Sequence, residues 1–116
     1  MATGQDVANF AMKYRGTPIF DWRTGEKKFD SVSFVLFCYK HAAQKELPYG
    51  TKYLINMGKK VNRKDLKPGD LVFPHSGHVG ISIGGERYIH APATLQVGDA
   101  IKEASIRKFY TARRIL

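Results

Sequence analysis

The stretch HVGISIGGERYIHA, residues 78–91, decides the fold of this chain. On either side of Gly84 and Gly85, β-branched and aromatic residues alternate with small or polar ones, which predicts an antiparallel hairpin. The register follows from the side chains. With the turn centred on Gly84, in a three-residue loop of Ile83, Gly84 and Gly85, Val79 stands opposite Ile89 and His78 opposite His90. One face then carries Val79, Ile81, Ile89 and Ala91, and the other carries His78, Gly80, Ser82, Tyr88 and His90. Centring the turn on the Gly84, Gly85 pair sets Val79 against His90 and mixes the faces, so the first register is preferred. Its consequence is a pair of imidazoles beside a glycine that leaves open space.

Outward from the hairpin, LKPGDL at residues 66–71 holds a turn signal at Pro68 and Gly69 and leads into a strand at Leu71, Val72 and Phe73. After the hairpin a weak strand is expected at 94–97, a helical turn near Ile101 and a closing strand at 109–115. Before it, apolar residues at Val7, Phe10, Ala11 and Tyr14 predict an amphipathic helix over 5–14, ended by Gly16, Thr17 and Pro18. Residues 19–29 show no period and read as a loop. Residues 31–44 predict a central helix, apolar on most of its circumference and capped by Asp30. The unbroken run Phe34 to Tyr39 also fits a buried strand, and the total length favours the helix. Pro48, Tyr49 and Gly50 form a turn, a two-turn helix follows over 51–57, and 59–67 is a basic surface connection. The class is α+β: N-terminal helices, one of them buried, packed on an antiparallel sheet in a single domain spanning 1–116.

The composition agrees with one folded domain. The chain has 116 residues, 43% of them hydrophobic and only 25% charged, which argues against disorder. Nineteen Lys and Arg against ten Asp and Glu give a formal charge of +9, which suits nucleic acid, anionic lipid or an acidic wall polymer without choosing among them. A single cysteine excludes a disulfide framework and a thiolate-rich zinc site. The start MATGQDVANF has neither a basic leader nor an apolar run, so no secretory signal is expected, and no apolar stretch is long enough to span a membrane.

Three readings of the paired histidines stay open on the residues alone. They are satisfied structural side chains, or part of a zinc site for which His75 is the nearest third ligand, or a base with its orienting partner. The last needs a nucleophile from elsewhere, and Asp30 and Ser31 at the start of the buried helix are where to look. This reading expects the histidine face to turn toward that helix start. Cys38 lies two turns further along, in the apolar run, and reads as a core residue.

Taken in order, these segments resemble NlpC-type cell-wall peptidases, small papain-like cysteine peptidases. Phe29 to Val35 is similar to the family's Asp-Cys-Ser-Gly nucleophile motif, and Leu66 to Phe73 to its Leu-x-Pro-Gly-Asp-Leu-x-Phe segment. His78 to Ile81 resembles the base-histidine motif, and Ile89 to Pro92 the segment of the third, orienting residue. Tyr14 to Pro18 and Ala112 to Arg114 resemble the stretch before the nucleophile and the closing strand. The resemblance implies a papain-like NlpC-type domain that hydrolyses an amide of peptidoglycan stem peptides, between D-glutamate and the following diamino acid. It also implies a site of residue 31, His78 and His90 with no cofactor and no metal. Arg15, Arg23 and Lys27 become candidates for substrate carboxylates, against the alternative that each is solvated surface.

Two departures accompany the resemblance. Ser31 stands at the cysteine position, followed by Val32 and Ser33, and Ile19 to Arg23 replaces the stretch whose tyrosine assists the oxyanion. A helix N-terminus and an imidazolium can store a thiol, pKa about 8.5, as thiolate; a serine hydroxyl has to be deprotonated during attack. The chain as given is therefore expected to be an inactivated Cys-to-Ser form, ahead of a silent relative and, last, a working serine variant. The resemblance further implies action at the bacterial wall, in the periplasm or outside the cell. A secretion system or phage tail would deliver it, as an effector or toxin with a cognate immunity or carrier protein. The competing class is a silent wall-binding module, or a nucleic-acid binder using Lys59, Lys60, Arg63, Lys64 and Lys67 with Tyr49 and Tyr53. Nucleic acid is disfavoured because no base-reading motif accompanies the charge.

Overall fold

The computed structural model describes residues 1–92 and 98–116. Helix α1 (Gly4–Met12) starts in a capping box, Thr3 and Asp6 each accepting the other's backbone N–H. Helix α2 (Ser31–Ala43) is the buried central helix, so the strand alternative for Phe34 to Tyr39 falls away. Phe34, Val35, Cys38 and Tyr39 are all buried within it. It ends at Gln44, whose left-handed φ of 52° turns the chain back. Helix α3 (Thr51–Leu54) is shorter than the residues predict.

Among the described residues six strands form one sheet: β1 (Lys59–Lys60), β2 (Leu71–His75), β3 (His78–Gly84), β4 (Arg87–His90), β5 (Lys102–Ser105) and β6 (Thr111–Arg114), in the order β1-β6-β2-β3-β4-β5. Every pairing is antiparallel. Two expectations are corrected here. The basic connection contributes a short edge strand and a 3-10 turn (Arg63–Asp65), and the segment after Ile101 is strand β5, where a helical turn was expected. The weak strand expected at 94–97 lies outside the described residues.

The sheet is covered on one face by α1 and α2. Leu71, Phe73, Val79, Ile81, Ile89 and Ala91 join Val7, Phe34, Val35, Cys38 and Tyr39 in one core. On the far face Val72, Tyr88 and Ile106 form a smaller cluster with Leu66, Ala104 and Phe109.

The Pro68, Gly69, Asp70 turn locks the two ends of the chain to this core. The Tyr39 hydroxyl donates to the Gly69 carbonyl at 2.5 Å. A Cβ on Gly69 would meet the Gly4 backbone at 2.3 Å, and its φ of 96° is itself left-handed, so only glycine lets α1 approach this closely. Asp70, 2% exposed, accepts from Arg114 Nε and Nη2 at 2.9 Å each and from the Lys67 N–H at 2.8 Å. The motif's acid is thus a structural anchor between the β2 turn and β6.

Candidate active site

The hairpin keeps its faces but not its pairing. Ile81 stands opposite Ile89 and Ser82 opposite Tyr88, with an irregularity before Gly84 opposite Arg87. Gly84, Gly85 and Glu86 all adopt positive φ (89°, 62° and 59°), which carries the turn one residue past the expected centre. The register shifts by two, a full side-chain period, so the same residues share each face. The expected direct opposition of Val79 with Ile89 and of His78 with His90 is corrected by that offset.

The imidazoles still meet, because His78 opens β3 and His90 closes β4 at the same end of the sheet. His78 Nε2 lies 2.8 Å from His90 Nδ1, with the rings edge to face. Both are buried, 5% and 7% exposed. Burial is the main reason each is held below the ordinary imidazole range. The neighbouring His75 adds to this for His78; for His90, which is pushed down to about 4, His78 and Lys102 add to it. Val79, Ile81, Ile89 and Ala91, on the other face of the hairpin, share the core with Val35, Cys38 and Tyr39 of α2.

Nor is the space beside Gly80 open. A Cβ there would meet the Tyr88 ring at 2.3 Å, and that ring stacks on His90 at 4.5 Å. Glycine at position 80 admits the tyrosine that supports the orienting imidazole. The hairpin alternation placed Tyr88 on the histidine face, but sequence reasoning assigned it no role.

Ser31 is the first residue of α2 and is partly buried. Asp30 caps the helix. Its Oδ1 accepts the Ser33 N–H at 2.7 Å, while the Ser33 hydroxyl accepts the Asp30 N–H at 2.9 Å. The chain beyond α2 folds back so that the Tyr49 hydroxyl donates to Asp30 Oδ2, a partner with no sequence signal beyond its place in a turn. Burial works against ionisation of Asp30, but the Ser33 N–H, the Tyr49 and Ser33 hydroxyls and the Lys27 charge outweigh it and hold the carboxyl low. Cys38 is fully buried and its thiol is pushed up by that burial, which suits core packing.

The three candidate substrate cations do not converge. Arg15 pairs with Glu103 on β5 at 2.5 Å, Arg23 lies 3.6 Å from Asp21, and Lys27 lies 4.0 Å from Asp30. Only Lys27 adjoins the start of α2 through a contact. Ile19 is fully buried in the core, which leaves that position no side-chain donor for an oxyanion. Among the described residues no group of three His, Cys, Asp or Glu side chains is placed to hold a metal ion, and no helix is long and apolar enough to cross a membrane.

An α+β fold with a capped central helix and a hydrogen-bonded histidine pair at the strand ends is the arrangement that the resemblance noted from the sequence calls for. The chain belongs to the NlpC/P60 family, whose model matches residues 16–115. It is 33% identical over 112 residues to Protein P54 of Enterococcus faecium, covering 93% of this chain and 21% of that protein. To murein DD-endopeptidase MepS/murein LD-carboxypeptidase of Escherichia coli K12 it is 36% identical over 97 residues, covering 78% of this chain and 52% of that protein. The chain thus spans between a fifth and about half of these relatives. Among solved structures, the NlpC/p60 domain of the peptidoglycan hydrolase SagA superposes with a TM-score of 0.79 at 29% identity, covering 97% of this chain and 99% of that one.

Proposed function

We propose that this domain is built to hydrolyse an amide of peptidoglycan stem peptides, of the D-glutamyl–diamino acid type, with residue 31 at the nucleophile position. The observation that carries the reading is the 2.8 Å bond between His78 Nε2 and His90 Nδ1 in a chain of this family. With its Nε2–H donated to His90, His78 presents a bare Nδ1 as base. That nitrogen would take the proton from residue 31 as the nucleophile bonds to the carbonyl carbon. It would then return the proton to the leaving amine as the C–N bond breaks, and water would release the acyl group. Free N–H groups at the start of α2 would steady the oxyanion.

Serine at position 31 and the buried Ile19 favour slow or absent turnover in the chain as given, since neither a stored thiolate nor a side-chain oxyanion donor is at hand. The same two residues support a second reading, a silent module that retains affinity for wall peptides. Within the first reading the domain is an inactivated antibacterial effector acting at the wall, with an immunity or carrier protein as partner.

Restoring the thiol separates the two readings. Ser31→Cys is expected to release new amino groups from purified stem peptides and to alkylate with iodoacetamide before buried Cys38 does. Adding His78→Ala should abolish turnover, and adding His90→Ala should reduce it. A thiol at position 31 that reacts no faster than Cys38 and cleaves no wall preparation would overturn the peptidase reading.

A further inference from the structure

Behind His90, on the sheet face away from α2, lies a cavity walled by Pro74, Tyr88, His90, Lys102, Arg107 and Lys108. Its volume is about 370 Å³. Neither Ser31 nor His78 lines it. Lys102 stands directly opposite His90 on the β4–β5 ladder, so both side chains share this face. Glu103, next in sequence, turns to the other face and is taken by Arg15 and Arg87. Among the described residues no carboxylate pairs with Lys102, Arg107 or Lys108. Three free cations therefore surround one depression.

A second, independent observation points to what they would hold. His90 is 7% exposed, its Nδ1 is bonded to His78, and its Nε2 is buried with no partner among the described residues. A buried ring nitrogen without a partner is costly and calls for an occupant. If Nδ1 accepts from His78, Nε2 carries the proton and is a donor. A donor ringed by cations suits an anion, and three dispersed charges suit an oxyanion with several acceptor oxygens.

We infer that this cavity binds a phosphate-class oxyanion, held by Lys102, Arg107, Lys108 and the Nε2–H of His90, and that its occupancy locks the tautomer of the His78–His90 pair. An oxyanion can only accept, so it requires the proton on His90 Nε2. That leaves His90 Nδ1 bare, which requires the proton on His78 Nε2 and leaves His78 Nδ1 free as the base. The anion thus selects the one tautomer in which the pair can take a proton from a nucleophile. The binding and tautomer statements stand on geometry; only an effect on rate rests on the peptidase reading.

The test uses the ¹⁵N-labelled chain as it exists, with long-range ¹H–¹⁵N correlation of the imidazoles at about pH 7.5 and constant ionic strength. One arm titrates inorganic phosphate, and the other titrates dimethyl phosphate, which stands for the phosphodiester of a polymer. The expected result is a saturable shift of the His90 Nε2–H signal in at least one arm, with His90 Nδ1 reading as unprotonated. Saturation by phosphate alone assigns a free or monoester phosphate; saturation by the diester assigns a polymer. Lys102→Ala, Arg107→Ala and Lys108→Ala alter exposed side chains, and each should weaken binding about fivefold, while Lys45→Ala leaves it unchanged. No saturable shift in either arm by about 50 mM, or equal shifts in a triple variant lacking all three cations, would overturn the site. In the Ser31→Cys protein, phosphate should raise kcat at unchanged KM. Binding that leaves kcat unchanged there, once turnover is established, overturns the coupling to catalysis.

Discussion

Replacing His90 by Gln should flatten the acid limb of the protein's stability curve. The imidazole is held near 4 in the fold, chiefly by burial, against its ordinary 6.5. Between those two values the unfolded chain binds a proton that the folded chain refuses, so stability rises with pH across the window and is lost as pH falls through it. The gap is worth about 3 kcal/mol at its full extent, and His78, shifted in the same direction, adds to the same limb. Urea titrations at intervals from about pH 4.5 to 7.5 measure the slope for the parent and for His90→Gln. Glutamine cannot titrate there, so the variant should show a visibly shallower dependence. Its absolute stability will also fall, because the ring stacked on Tyr88 is gone, which is why the slope is the readout. Carboxylates held low in the fold, Asp30 among them, lose their contribution at still lower pH and do so in both proteins. Parallel curves for parent and variant would refute the argument, since they would mean that His90 protonates as readily folded as unfolded.

Three further outcomes follow from the packing. Asp30→Ala removes the α2 cap and the acceptor of the Tyr49 hydroxyl, and should cost about 1–2 kcal/mol, seen as a Tm lowered by several degrees. Asp70→Asn leaves the Arg114 guanidinium without its bidentate partner beside a buried amide, and should cost about 2–3 kcal/mol in urea unfolding. Gly80→Ala drives a methyl into the Tyr88 ring and close to the Ile89 carbonyl. It should cost about 1–3 kcal/mol and alter the His90 imidazole resonances, whereas Gly77→Ala, with no atom nearer than 3.6 Å, should not disturb them.

Some of this protein was legible in residue order alone. Alternation along 78–91 assigned both faces of the hairpin, and it survived an error in the pairing because a shift of two residues returns every side chain to its own face. Asp30 ahead of an apolar run long enough for four turns announced the capped central helix, since capping and helical length are local properties. The histidine spacing, once the hairpin was seen, was enough to bring two imidazoles to one end of the sheet.

The rest required chain segments distant in sequence. The offset between β3 and β4 came from three successive left-handed residues, of which Glu86 has no glycine-like signal. Strand β5, with the sequence KEAS, lacks strand-forming residues and is extended because β4 offers it a ladder. Tyr49 reaches Asp30, and Arg114 reaches Asp70, only after the chain has turned back on itself. Which face of the hairpin packs on the body of α2 was decided by burial of the larger apolar surface. Alternation specifies that two residues share a face; only packing against the remaining elements decides what that face will meet, because the free energy that chooses it belongs to the partner surfaces as much as to the strand.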